Sequence, residues 1–283
     1  MIIKAGQVAV VTGAAQGLGR ALTAGLIDRG VSVVLADIAA EQLHSTAEEF
    51  TAQGPPVLPV ITDVSDPASV KALASRTLDH FGRVDIVVNN AGITGKSSHP
   101  LWQTEPQDWQ RVLGVNLLGV VHGIQAFVPH LVSAGAGHVV NTASVFGLMA
   151  MPFVGAYCAS KHAVVAISEM LHGELQMMGL PIGVTVACPG LVRTPLAERV
   201  ISSAQSDDAW ADYLPPDVSR EQAQQRRAAL KGLISTLMEP GAAANHILDA
   251  VQADRLYALT HGDINGGARR RVESILTALA DCS

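Results

Sequence analysis

Short β-branched runs alternate with amphipathic stretches of helical length along most of the chain. That alternation restricts the fold more than any other feature. Val8–Thr12, Val31–Ala36, Val57–Thr62, Asp85–Asn89, His138–Ala143, Ile182–Ala187 and Leu256–Thr260 read as seven strands. Helices are expected over about Leu18–Arg29, Ala39–Ala52, Pro67–His80, Pro106–Val132 and Ala156–Met178. Strands that are apolar throughout, with helices between them, form a parallel sheet covered on both faces. Right-handed crossovers then give a doubly wound α/β fold. No linker divides the 283 residues, so the chain reads as one domain over 1–283. Segment 197–239 differs in character, with Asp207-Asp208, Pro215-Pro216 and Arg226-Arg227, and is expected to form a helical lid over the strand ends. A helical extension is expected at about 262–283.

Charge is scarce. Only 16% of residues are charged against 48% apolar, and the net charge is −6. This balance is the opposite of what disorder requires. An acidic chain gains little from a phosphate backbone, which argues against nucleic-acid binding. With few charges to cover its surface, the protein is expected to bury apolar surface against another subunit. From Val112 to Ser160 there is no Asp, Glu, Lys or Arg. Asn116, His122, Pro129, His130, Gly135 and His138 interrupt that stretch, so helix, turn, strand and loop fit it better than a membrane span. Cys158, Cys188 and Cys282 have no disulfide-framework or metal spacing, and no metal site is expected. The start, Met1-Ile2-Ile3-Lys4-Ala5-Gly6, lacks the pattern of a signal peptide, and a cytoplasmic location is expected.

The first strand runs into Thr12-Gly13-Ala14-Ala15-Gln16-Gly17-Leu18-Gly19. Glycines at a strand-to-helix turn let backbone approach a pyrophosphate, and the helix N-terminus favours its charge. Asp37 closes the second strand, about 20 residues past this turn, the spacing at which an acidic side chain meets the ribose 2′-hydroxyl of NAD and repels the 2′-phosphate of NADP. Ile38 follows it. Asp63-Val64 after the third strand and Asn90-Ala91-Gly92 after the fourth are candidates to line the cofactor, while Asn89 is placed to tie neighbouring strand ends.

Tyr157 and Lys161 stand four apart at the start of a predicted helix and so share a face. A nearby ammonium stabilises a phenolate, lowering the tyrosine pKa from its usual value of about 10 towards the range useful for acid/base work. Ser144, ending the fifth strand, can donate to a carbonyl oxygen, and Asn116 lies in the long helix among apolar neighbours. Together with Thr12-Gly13-x-x-x-Gly17-x-Gly19, Asn89-Asn90-Ala91-Gly92 and Pro189-Gly190-x-Val192-x-Thr194, this set resembles the short-chain dehydrogenase/reductase family over about Gln7 to Thr260.

The resemblance implies a Rossmann fold and assigns roles. Tyr157 would be general acid or base, and Ser144 would polarise the substrate oxygen. Lys161 would lower the Tyr157 pKa and bind the nicotinamide ribose, and Asn116 would hold a relay water. Thr194 and the backbone at Val192, after Pro189-Gly190, would meet the nicotinamide carboxamide. The implied cofactor is NAD. Val145, Phe146, Phe153 and Leu191 are the substrate candidates, with Ile93 to Ser98, Met149, Leu196 and Trp210 to Leu214 around them. Their apolar character suits an apolar or aryl secondary alcohol, or its ketone. A 3-oxoacyl thioester reductase and a non-catalytic NAD-binding sensor are the competing readings. In the family resembled, the long helix before Ser144 and the helix from Tyr157 pack against their copies. A homo-oligomer is therefore expected, a tetramer before a dimer.

Overall fold

The computed structural model describes residues 1–52, 54–95, 100–199, 237–262 and 265–282. Seven parallel strands form one sheet in the order β3-β2-β1-β4-β5-β6-β7. They are β1 (Val8–Thr12), β2 (Ser32–Asp37), β3 (Val57–Ile61), β4 (Ile86–Asn89), β5 (Gly137–Thr142), β6 (Ile182–Cys188) and β7 (Tyr257–Leu259). The order reverses between β1 and β4, and at such a switch point open α/β sheets bind ligands beyond the strand C-termini.

Helices α1 (Gly17–Ile27) and α2 (Ala40–Thr51) cover one face with α7 (Pro240–Gln252). Leu22, Leu26, Leu43, Phe50, Ile247 and Leu248 pack there against Ala9, Val11, Val33 and Leu35. On the other face lie α3 (Pro67–Phe81), α5 (Gly119–Ala134) and α6 (Gly155–Met177). Their Val70, Leu73, Phe127, Leu131, Leu171 and Leu175 pack against Val10, Val34, Val87 and Val139. The expected doubly wound α/β fold is thus present, with every strand within two residues of its sequence-based bounds.

Three differences have physical causes. The single long helix expected over 106–132 is two helices, α4 (Pro106–Leu113) and α5, joined by a π-turn at Gly114–Leu118. A π-turn inserts one residue into the helical ladder and commonly marks a functional position. Here it holds Asn116. Helix α7 was not expected, although its Pro240 occupies the first turn, where a missing N–H costs nothing. The lid expected over 197–239 falls mainly outside the described residues. Its ends are described: Val192 bridges Met238 in parallel, so the chain returns beside the strand it left.

The run Pro106–Ala134 is long and apolar enough to cross a membrane by length and composition. In this fold it lies along the sheet, with Val112, Asn116, Val120, Phe127 and Leu131 buried. The last helix is α8 (Asn265–Ala280).

His138 on β5 is fully buried. Its Nε2 pairs with the Thr185 hydroxyl at 2.8 Å, while Nδ1 lies 3.8 Å from the Asp254 carboxylate with no hydrogen-bond partner. Burial pushes its pKa down from 6.5 to about 4, against the pull of Asp254. The folded state therefore binds this proton more weakly than the unfolded chain. The stability contribution is complete above pH 6.5 and is lost as the pH falls towards 4, by on the order of 3 kcal/mol. Urea midpoints measured across that window should fall more steeply for the parent than for His138→Gln; parallel pH profiles would refute this assignment.

Candidate active site

The glycine turn is built by close packing. Gly13 has a φ of +67°, and a Cβ on Gly19 would stand 2.1 Å from the Gly13 carbonyl oxygen. Only a bare backbone allows α1 to begin so near the end of β1. Gln16, at the N-cap of α1, makes no side-chain cap, and the first turn carries no acidic residue. The helix thus presents uncapped N–H groups on a glycine cradle, with Gly17 and Leu18 opening the first turn. Such a cradle fits the pyrophosphate of a dinucleotide. Thr12 fixes its rim: its hydroxyl accepts from the N–H of Asn90 at 2.9 Å and of Ala91 at 3.0 Å. The Asn90 amide returns a bond to the Thr12 carbonyl at 2.9 Å.

Asp37 ends β2 facing this turn. One carboxylate oxygen accepts from Ala15 N–H at 3.1 Å and the other from Ala39 N–H at 3.0 Å. It both fixes the turn before α2 and anchors the glycine turn, with acceptor capacity left for a ribose hydroxyl. Ile38 beside it is exposed. The Arg20 guanidinium, next in chain to the turn, is engaged by Glu49. Asp63 folds onto its own turn, accepting from the Ser65 N–H and hydroxyl. Val64 is buried, and its carbonyl accepts from His122. Asn89 ties strand ends as expected, donating to Asn141 at 2.9 Å.

Past β5 the chain turns sharply. Ser144 caps a 3₁₀ turn at Val145–Gly147, its oxygen accepting from Phe146 N–H at 3.2 Å. It lies beyond the strand and not at its last position. Its hydroxyl acts on that of Tyr157 in the direction that favours the phenolate. Lys161, one turn along α6, is buried and donates to the Thr142 carbonyl at 2.7 Å. Its Nζ stands 5.7 Å from the Tyr157 ring centroid, and a Cβ on Gly92 would come within 3.5 Å of it. Ser144, Tyr157 and Lys161 thus converge at the C-terminal edge of the sheet, two strands from the glycine cradle.

The electrostatics of this trio run against the sequence-based expectation. Burial pushes the Tyr157 hydroxyl up to about 12, only partly offset by the bond from Ser144. Burial also pushes Lys161 down to about 8. The ammonium donates to a backbone carbonyl, and desolvation is the largest influence on both groups.

Asn116 is fully buried and has three partners. Its Oδ1 accepts from Ile93 N–H at 2.8 Å, and its Nδ2 donates to Ile93 O at 2.9 Å and to Ser160 Oγ at 3.0 Å. Ser160 passes the chain on to the Tyr157 carbonyl at 2.7 Å. The π-turn, the loop after β4 and the first turn of α6 are therefore bonded into one unit. Sequence reasoning missed Ser160, although it sits inside the Tyr157-to-Lys161 spacing. It also missed the Thr142 carbonyl, for which no side chain gives a signal.

Of the substrate candidates, Val145 is buried and Phe146 meets Tyr157 edge-on at 6.4 Å between centroids. Phe153 adopts a φ of +66°, a strained conformation for a bulky side chain, just before α6. Leu191 is half-buried and its carbonyl accepts from Met238. Pro189 bonds to Val145, Gly190 N–H donates to Thr260 at 3.1 Å, and the Thr194 side chain lies against Gly17. Ser97, Ser98 and Trp210 to Leu214 lie outside the described residues. No group of three or more metal-ligating side chains occurs among the described residues.

Replacing Ser160 by Ala leaves the Asn116 amide with one buried donor unpaired, a cost of about 1–3 kcal/mol. We expect Ser160→Ala to lower the melting temperature and turnover while Ser160→Thr retains more of both. Thermal melts and steady-state rates that do not separate the two variants would refute the linkage.

Residues 7–205 match the family model described as short chain dehydrogenase. The chain is 34% identical over 256 residues to 1-deoxy-11-beta-hydroxypentalenate dehydrogenase of Streptomyces avermitilis, covering 90% of this chain and 84% of that protein. It is 38% identical over 211 residues to 2-(R)-hydroxypropyl-CoM dehydrogenase of Xanthobacter autotrophicus, covering 74% and 84%. A solved short chain dehydrogenase/reductase from Burkholderia phymatum, in complex with NAD, superposes with a TM-score of 0.84 at 37% identity, covering 98% and 97% of the two chains.

Proposed function

The chain belongs to the short-chain dehydrogenase/reductase family, and from that premise we propose that it is an NAD-dependent oxidoreductase interconverting a secondary alcohol and its ketone. The observation that carries this reading is the meeting of Ser144, Tyr157 and Lys161 beside an uncapped glycine cradle that ends at Asp37. Relatives named as dehydrogenases of hydroxyl-bearing substrates support the reaction class.

The cofactor supplies a hydride acceptor or donor when bound. Gly13, Gly17, Gly19 and the start of α1 would hold its pyrophosphate, Asp37 and Ile38 its adenosine end with Asp63 and Val64. Asn90, Ala91, Gly92, Val192 and Thr194 would line the nicotinamide side. In alcohol oxidation Tyr157 takes the hydroxyl proton; in ketone reduction it returns it. Ser144 donates to the same substrate oxygen and holds it in line with Tyr157. Lys161 lies near its neutral-to-charged transition, so it can pass a proton onward from Tyr157. Asn116 is bonded to the backbone and Ser160, and we assign it the task of fixing this proton path. Val145, Phe146, Phe153 and Leu191 favour an apolar or aryl substrate.

Asp37 carries the preference for NAD over NADP, since a carboxylate repels a 2′-phosphate. We further propose a homo-oligomer, a tetramer before a dimer. Leu118 and Val132 on the π-turn and α5, with Met170 and Met177 on α6, offer exposed apolar surface for it.

Tyr157→Phe should cut kcat/KM by roughly 10²–10⁴-fold for every accepted alcohol, followed by NADH absorbance, while leaving NAD affinity intact. Full activity in that variant would overturn the mechanism. With NAD and NADP run in parallel on a secondary-alcohol panel, the parent should favour NAD and Asp37→Ala should narrow the gap. Equal efficiency of the two cofactors in the parent would remove the role given to Asp37.

A further inference from the structure

Thr260, the first residue after β7, is buried, and His261 beside it is half-buried. The Thr260 hydroxyl oxygen accepts from the Gly190 N–H at 3.1 Å and stands 2.7 Å from His261 Nδ1. The ladder between β6 and β7 ends at Cys188 and Leu259, so Gly190 lies beyond it and its amide takes the Thr260 hydroxyl instead. A hydroxyl carries one proton and rotates to suit its partners. With His261 Nδ1 accepting that proton, the oxygen lone pairs are left for Gly190.

This arrangement puts the remaining ring proton on Nε2, which is buried and has no hydrogen-bond partner among the described residues. A buried donor left unpaired is costly. Stability alone would favour an apolar side chain here. What the imidazole adds is the acceptor that orients Thr260.

The peptide held in this way joins the two halves of the site. The Pro189 carbonyl accepts from Val145 N–H at 2.9 Å, next to Ser144, while the Gly190 N–H is held at the end of β7. Further along, Val192 bridges Met238 and the Thr194 side chain lies against Gly17 of the cradle. The stretch from Pro189 to Thr194 therefore runs from the Ser144 turn to the start of α1, with Thr260 as a side-chain anchor near its beginning.

We propose that Thr260 and His261 are positioning residues for the nicotinamide end of the cofactor: His261 orients the Thr260 hydroxyl, and Thr260 sets the Gly190 amide and with it the stretch to Thr194. The proposal rests on the cofactor reading given above. Neither residue takes part in moving the hydride or the proton.

Amide hydrogen exchange of the full chain without cofactor reads the anchor directly. Thr260→Val keeps the shape and removes the hydroxyl. Exchange at Gly190 should rise roughly 3–10-fold in that variant, the worth of one hydrogen bond, and stay near the parent in Thr260→Ser. Calorimetric titration with NAD reads the consequence. The Kd of Thr260→Val should rise by a similar factor, and KM for NAD should rise more than kcat falls. His261→Asn and His261→Leu separate orientation from packing. The asparagine oxygen can take the place of Nδ1, so His261→Asn should stay near the parent in both measurements. His261→Leu fills more of the space but has no acceptor, and should raise both exchange and Kd. A space-filling role for the ring predicts the opposite order, and that order would overturn the proposal. So would unchanged Gly190 exchange in Thr260→Val, or faster exchange with unaltered NAD affinity. A parent that binds neither NAD nor NADP would overturn the cofactor reading and this role with it. The exchange rates, taken without cofactor, distinguish that failure from a failure of the anchor.

Discussion

A parallel sheet covered on both faces exposes its backbone chiefly at the strand ends. This constraint orders the rest of the molecule. Val10, Val34, Val87 and Val139 take one face, and Ala9, Val11, Val33 and Leu35 the other, leaving no room for chemistry along the strands. Polar side chains gather where strands stop. Thr12 at the end of β1, Asp37 at the end of β2, Asn90 after β4 and Ser144 after β5 all lie at the same edge. The reversal of strand order between β1 and β4 falls at that edge, with the glycine cradle on one side and the Tyr157 trio on the other.

Holding charge in this setting requires dense hydrogen bonding. Lys161 is buried beside Gly92 and donates to the Thr142 carbonyl. Its ammonium is destabilised there, and the Tyr157 phenolate more so. Both shifts come from burial and both favour the neutral forms. A site arranged this way keeps its proton on Tyr157 until a charged or polar ligand changes the field, because ionising either group alone is costly in a low-dielectric crevice. Asn116 and Ser160 carry no charge and can be buried fully provided each donor is used, as they are here.

How much of this was readable depended on range. The glycine turn, Asp37 and the Tyr157-to-Lys161 spacing are local patterns whose geometry follows from chain connectivity, and each sits where the sequence implied. The π-turn was not readable. Gly114–Leu118 has the composition of its helical neighbours, and the extra residue is inserted so that Asn116 can reach Ile93 and Ser160, partners set by tertiary packing. Helix α7 illustrates a conflict of signals. Pro240-Gly241 reads as a turn, while Ala243, Ala244, Ile247, Leu248 and Val251 carry a buried helical face that only the packed sheet reveals. The Tyr157 shift depends on tertiary structure in the same way. Spacing puts an ammonium near a phenol, but only the structure gives the direction in which the ammonium points.

The shortage of charge between Val112 and Ser160 now has a structural basis. Within that stretch Val120, Phe127 and Leu131 pack against the sheet, Val112 and Asn116 are buried, Asn141 bonds Ser168 of α6, and His138 is buried beside Thr185. A charged residue at any of these positions would need a partner that the crowded interior lacks. Burial within one subunit accounts for these residues but not for Leu118 and Val132, which are apolar and exposed. Where the shortage of charge is explained by the fold, it lies under a helix; at Leu118 and Val132 it leaves apolar surface open, and the proposed oligomer draws on that surface.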